Sequence, residues 1–258
     1  MVISDQGINH IEDVLKTSLR NKFKNYKPEP SSMPFHTRLL GKDRLALYSF
    51  IHSLNTSFGT SIFEPVGAAI AKENFPVVIS HTIAGNQISR AAQTAIQNII
   101  DNLSMAITEP NKGDEIEQIR KVCLKGEMIM VKPTIVDLLV ESYVGEIFLF
   151  DIKTAKPNIG GFKEYKRTLL EWVAVILAEN PNKQINTLIA IPYNPYEPKP
   201  YNRWTIRGML DLNKELKVAE EFWDFLGGEN TYQILLDCFE RVGIELRDEI
   251  DEYFSKFS

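Results

Sequence analysis

A chain of 258 residues with 44% hydrophobic and 24% charged side chains has the make-up of a folded globular protein and can bury a core without disulfide or metal staples, which excludes a disordered tail, a collagen-like chain and a coiled-coil rod. The net charge of −5 is unevenly spread: residues 1–60 and 151–203 each hold 8 Lys/Arg against 5 Asp/Glu, whereas 204–258 hold 6 against 13, so overall acidity does not exclude a nucleic-acid face elsewhere. No apolar run reaches the roughly 18 residues of a membrane helix, and the polar start MVISDQGINHIEDV is unlike a secretory signal; a cytoplasmic protein with no membrane partner is expected.

In chain order, Ile8, Ile11, Leu15 and Leu19 recur at helical spacing. The prolines of KPEPSSMP end that helix. Asp43 reads as the N-cap of RLALYSFIHSLN. A further helix is expected over Ser61 to Asn74 and a longer one from about Asn86 to Ala106. A loop with Pro110, Asn111 and Gly113 leads to a short helix near 114–122. Then the period changes. MIMVKPTIVDLLVES reads as extended, Gly145 marks a turn, and EIFLFDIKT has two mostly apolar faces, as in a strand buried between helices. An amphipathic helix follows over about 160–179, with a core stripe of Phe162, Leu169, Leu170, Val173, Ile176 and Leu177. Lys163, Lys166 and Arg167 are assigned to another of its faces. NTLIAIPYN is a third buried strand, before a Pro/Tyr-rich loop (192–201) and C-terminal helices.

This order predicts one α/β domain over 1–258, a small mixed sheet within a large helical envelope. Its parts are a mainly helical stretch (1–125), an α/β core (126–203) and C-terminal helices (204–258). Cys123 and Cys238 read as buried free thiols, and His10, His36, His52 and His81 show no metal-binding spacing.

The stretch that carries chemistry is Pro133-Thr-Ile-Val-Asp137 followed by Asp151-Ile-Lys153. Asp151 and Lys153 lie two apart on a strand and project from the same face. An antiparallel pair turning at Gly145 brings Asp137 beside Asp151. Two carboxylates converging among apolar residues repel unless a cation lies between them. Carboxylates, a backbone carbonyl and water are the ligands magnesium prefers. An adjacent lysine can orient an attacking water or stabilise charge developing on a phosphate. An Asp-x-Lys tripeptide alone is a common solvated strand end. Here it closes a strongly apolar strand, faces a second acid across a hairpin and precedes a helix with basic residues.

These residues resemble the PD-(D/E)XK nuclease signature. The continuation DIKTAKPNIGGFKEYKRTLLEWVAVILAENP resembles the TdeIII-like group of Type II restriction endonucleases, and EFWDFLGGENTYQILLDCFERVG is similar to a block among such enzymes. The resemblance implies a PD-(D/E)XK, restriction-endonuclease-like fold and Mg²⁺-dependent cleavage of double-stranded DNA. It further implies a short, largely G/C palindromic site, a homodimer and a cognate DNA methyltransferase as genetic partner. Asp137, Asp151 and Lys153 take the catalytic positions. Asp137, Asp151, the Ile152 carbonyl and Glu64, near the start of a predicted helix, are the implied metal ligands. Here the proline stands four residues before the first acid rather than beside it.

Lys156 and Asn158, just after the catalytic strand, are placed at phosphate by position and resemblance. Lys163, Lys166 and Arg167 are read as a phosphate track. Arg203 and Arg207, in a basic-aromatic loop, are the residues assigned near DNA. Trp172 and Trp223 are expected in the core or at a dimer contact. Two rival readings remain at this point: another PD-(D/E)XK nuclease acting in repair or on junctions, and a non-catalytic DNA-binding protein with the same fold.

Overall fold

The computed structural model describes residues 3–26, 33–153, 161–202 and 208–255. Among these, the order is α1 (Asp5–Asn25), α2 (Pro34–Leu40), α3 (Lys42–Phe58), a π-helical turn (Gly59–Phe63), α4 (Glu64–Ala71), β1 (Val77–Ile83), β2 (Gln87–Ser89), α5 (Arg90–Ser104) and α6 (Lys112–Arg120). There follow β3 (Met128–Met130), β4 (Ile135–Glu141), β5 (Ile147–Ile152), α7 (Phe162–Glu179), β6 (Ile185–Ile191), β7 (Leu216–Val218), α8 (Glu220–Gly227), α9 (Thr231–Glu245) and α10 (Arg247–Ser255).

The centre is a five-stranded sheet in the order β1-β4-β5-β6-β7. β1, β4 and β5 pair antiparallel, and β5, β6 and β7 pair parallel, so the sheet is mixed. The β4–β5 hairpin turns at Gly145, whose φ of 81° is the left-handed conformation glycine adopts freely. The parallel step from β5 to β6 needs a crossover, which α7 supplies. Alternation along β5 divides its side chains: Ile147 and Leu149 enter one core with α5, α6 and α7. Phe150 and Ile152 enter the other, with α1, α4, α8 and α9. Both faces are covered, which explains the unbroken apolar run Ile147–Phe150. The result is a restriction-endonuclease-like α/β fold, a small mixed sheet inside a helical envelope.

Several local expectations are corrected. Asp43 does not cap α3; Gly41 precedes the helix and Asp43 lies in its first turn, where a carboxylate complements the helix dipole. The break expected before Ser61 is absent, because the π-helical turn carries α3 directly into α4. The helix expected from Asn86 starts at Arg90, where the Ser89 hydroxyl accepts from the Ala92 N–H as N-cap. Gln87 therefore lies on β2, paired with β3, instead of on a helix. β1, β2 and β7 are strands that the sequence reading did not assign. Cys123 and Cys238 are buried and free. Trp172 and Trp223 are core residues, 2% and 1% exposed, donating to Thr134 Oγ1 and the Pro192 carbonyl. Among the described residues no helix is long and apolar enough to cross a membrane.

Candidate active site

The hairpin register pairs Leu138 with Phe150, and one further step sets Asp137 opposite Asp151. No backbone pair is made there. Instead the Asp137 Oδ2 accepts the Ile152 N–H at 2.7 Å, so a side-chain carboxylate takes the place of a ladder carbonyl where the strands part. Trp172 on α7 fixes the approach to this point through its 2.7 Å bond to Thr134. Asp151 is buried, 7% exposed, and Lys153 extends its Nζ to 2.6 Å from Asp151 Oδ1. The same ammonium lies 4.9 Å from the centre of the Tyr165 ring on α7, within cation–π range. The Lys153 N–H donates to the Ala190 carbonyl, which ties this strand end to β6.

The electrostatics follow from crowding. Burial first, then the Asp151 charge, push the Asp137 carboxyl up to about 7, with Glu64 adding to the effect. Burial works to lower the Lys153 ammonium, but Asp151 beside it outweighs burial and the net direction is up. Lys153 is therefore a stable cation partnering Asp151.

Glu64 opens α4 and is 4% exposed, among the buried apolar residues of that helix. Burial raises its carboxyl, and the Asp151 charge adds to the rise. The π-helical turn before it passes the Ile152 carbonyl, 3.9 Å from where a Cβ on Gly59 would lie. Among the described residues no three His, Cys, Asp or Glu side chains are gathered closely enough to cage a metal ion. Asp137 lies across the strand ends from Asp151, and Glu64 is near enough to feel the Asp151 charge. That set still suits a hard divalent cation, since magnesium keeps several waters and needs only one or two carboxylates. Fully ionised, Asp137, Asp151 and Glu64 would carry more negative charge than Lys153 neutralises, which is part of what pushes Asp137 and Glu64 up.

The basic residues divide. Lys163 is exposed and Arg167 is half-buried, donating to Gln97 Oε1 at 2.8 Å. Lys166 corrects the expectation of a phosphate track: it is 0% exposed, with Nζ 2.5 Å from Glu115 Oε2 and 2.6 Å from Glu215 Oε2. It cannot reach DNA. The signal was present in the sequence, because Lys166 stands four residues after Phe162 and three before Leu169, inside the apolar stripe. Lys156, Asn158, Arg203 and Arg207 lie outside the described residues. Arg90, at the start of α5, pairs with Glu127 at 2.8 Å. The sequence reading missed His81. It stands on β1 with its Nδ1 3.5 Å from Glu64 Oε2, and the β-branched run VVISHTI was the available sign of that strand.

Comparison with known proteins fits this geometry. The chain is 27% identical over 223 residues to the Type II restriction enzyme HgiCII of Herpetosiphon aurantiacus, spanning 84% of this chain and 80% of the relative. It is 26% identical to HgiBI of the same organism over 98% of both chains. It is also 26% identical to the Type II restriction enzyme MjaII of Methanocaldococcus jannaschii, over 94% of this chain and 72% of that one. The family model that matches is "Type II restriction endonuclease, HinfI", over residues 3–243, where the local motif had suggested the TdeIII-like group. With nearly the whole length matched, the chain belongs to the HinfI family of Type II restriction endonucleases, hydrolases that cut double-stranded DNA.

Proposed function

We propose that this protein is a PD-(D/E)XK enzyme cleaving DNA at a short, G/C-rich palindrome with Mg²⁺, the whole chain acting as one catalytic domain. The observation that carries the reading is the meeting of Asp137 and Asp151 at the parting strand ends, with Lys153 2.6 Å from Asp151. Asp137, Asp151 and the Ile152 carbonyl would hold the cation, with Glu64 near Asp151. When bound, a divalent cation supplies Lewis-acid stabilisation of the scissile phosphate and lowers the pKa of water. Lys153 orients the attacking water and stabilises charge developing on the phosphate. Asp151 keeps Lys153 protonated and aimed. In-line attack leaves a 5′-phosphate and a 3′-hydroxyl. Lys156 and Asn158 follow the catalytic strand and are assigned to phosphate, as are Lys163 and Arg167. Arg203 and Arg207 are assigned to the DNA groove.

A palindrome presents two equivalent positions, and one chain holds one such set. Of two chains acting together and one chain binding twice in opposite orientations, we take the first, a homodimer. The exposed apolar residues Phe35, Leu39, Leu47, Tyr48 and Ile51 on α2 and α3 supply surface of the kind such a contact uses. The genetic partner is a methyltransferase of the same specificity. The test is digestion of a sequenced plasmid with Mg²⁺ and run-off mapping of the ends. Discrete fragments sharing one sequence, lost on chelation, are expected. Absence of Mg²⁺-dependent cutting, or cutting directed by DNA structure alone, overturns the reading.

A further inference from the structure

We propose that His81 is a positioning residue of the active site, holding the buried Glu64 carboxylate in the orientation that serves Asp137 and Asp151. The inference rests on the metal-site reading above and deepens it. Its first ground is Glu64 itself. A carboxylate 4% exposed on an otherwise apolar helix is costly unless partnered. Among the described residues the basic group within 4 Å of it is the largely exposed His81 imidazole, with Nδ1 3.5 Å from Glu64 Oε2.

The second ground is the backbone. β1 and β4 pair Ser80 with Leu138 and Thr82 with Val136, so His81 falls opposite Asp137, where the regular pairing is interrupted. His81 has a φ of 51°, a left-handed conformation that a non-glycine residue adopts at a cost. The other described non-glycine residues with positive φ, Ala106, Ala219 and Asn230, lie outside strands.

The third ground is direction. Val78 packs into the core that holds α4, so regular alternation would send residue 81, like Ile79 and Ile83, to the opposite face. The left-handed turn breaks that alternation, and the imidazole meets Glu64, which belongs to α4. The irregular residue of this strand is thus the one that touches the buried acid. Burial and the nearby charge of Asp151 act against Glu64 ionising, while His81 acts in favour. Local irregularities of this kind are concentrated beside active sites.

The test separates the imidazole from the backbone. His81→Gly keeps the left-handed conformation without penalty and removes the ring. His81→Asn tolerates the same conformation and keeps a side-chain donor. Mn²⁺ is titrated into the DNA-free protein at high concentration and free ion is read by electron paramagnetic resonance, with thermal melting alongside. His81→Gly is expected to weaken Mn²⁺ binding about tenfold while melting near wild type, with His81→Asn restoring most of the affinity. In the Glu64→Gln background, His81→Gly should add no further loss, because the two act as a unit.

Wild-type Mn²⁺ affinity in His81→Gly, or an equal further loss in the Glu64→Gln background, overturns the proposal. Wild-type affinity in Asp151→Asn overturns the metal-site reading instead, so the two failures are told apart. A second measurement leaves His81 unchanged. The His81 Nδ1 nitrogen resonance should move on Glu64→Gln, and an unmoved resonance removes the interaction and the proposal with it.

Discussion

Two groups of lysines and carboxylates lie on the α7 side of this fold or at its rim, and their charge balance differs. Lys112, Glu115, Lys166 and Glu215 join α6, α7 and the approach to β7, all at most 4% exposed. Lys166 reaches both glutamates, and Lys112 Nζ lies 2.8 Å from Glu215 Oε1. Two cations face two anions, and the group is closed off from water. At the strand ends, Asp137 and Asp151 face Lys153, which keeps 29% of its side chain exposed, with the buried Glu64 within reach of the Asp151 charge. A neutral, sealed group is a structural joint, whose members stabilise only while all are present. A group short of positive charge and open to solvent is, on the function proposed above, the one that would take up an ion and a substrate. The residue types are the same in both, so the balance and the exposure decide the role.

The sharpest way to break this comparison is at Lys153. Lys153→Ala should reduce cleavage by at least about a hundredfold and leave DNA affinity within about tenfold, since its charge acts on the water and the transition state. Cleavage near the wild-type rate, in a steady-state assay with Mg²⁺, would remove Lys153 from the mechanism. The reciprocal change is Lys166→Ala. It leaves Glu115 and Glu215 buried with one cation, and the expected cost is about 3–5 kcal/mol of folding free energy. Urea unfolding measures it. A destabilisation below about 1 kcal/mol, the scale of an ordinary substitution, would show that water enters and the cluster is not sealed.

Glu215 gives the same contrast a pH axis. Burial works to raise its carboxyl, but Lys112 and then Lys166 outweigh it and hold it below the ordinary 4.5. A depressed carboxyl contributes stability that is fully present above the ordinary value and is lost as pH falls through the folded-state value. Glu215→Gln should therefore destabilise the protein by about 3 kcal/mol at neutral pH. The gap to wild type should stay level down to about pH 4.5 and narrow below it, as wild-type Glu215 is itself neutralised. Glu115, whose carboxyl is raised by burial, has the opposite sign but is present in both proteins. A gap that widens in acid would contradict the sign.

The sequence showed some of this and hid the rest for physical reasons. The meeting of Asp137 and Asp151 was legible because strand alternation and a glycine turn are local arithmetic. The α7 boundary was legible because its apolar stripe is long. Lys166 was misread although its place between Phe162 and Leu169 was visible, because a charged residue within the stripe was given to the polar side. Only the partners on α6 and before β7, 51 and 49 residues away, explain its burial. β7 is three residues long and exists through its pairing with β6, a tertiary effect no local pattern carries. His81 was hidden for both reasons: its left-handed φ is not coded by histidine, and Glu64 meets it only when α4 packs beside β1.

The smallest expected effect concerns the exposed flank of α7, and it tests whether the division between sealed and open lysines extends to DNA. Lys163 is exposed, whereas Lys166, three residues on, is not. If Lys163 sits at a phosphate, Lys163→Ala should weaken binding to all DNA sequences alike. It should also flatten the dependence of log K on log salt by about 0.9 for each phosphate that the lysine neutralises. Arg167→Ala should do less, because its guanidinium is partly held by Gln97. Folding stability should stay within about 0.5 kcal/mol for Lys163→Ala, as for ordinary surface changes. Binding isotherms at a series of salt concentrations, with Mg²⁺ replaced by Ca²⁺ to slow cleavage, give the slope directly. An unchanged slope would make Lys163 a solvated lysine and move the phosphate-binding residues off this helix. A slope changed by Lys166→Arg, which keeps the buried charge, would mean that the cluster around Glu115 and Glu215 opens when DNA binds.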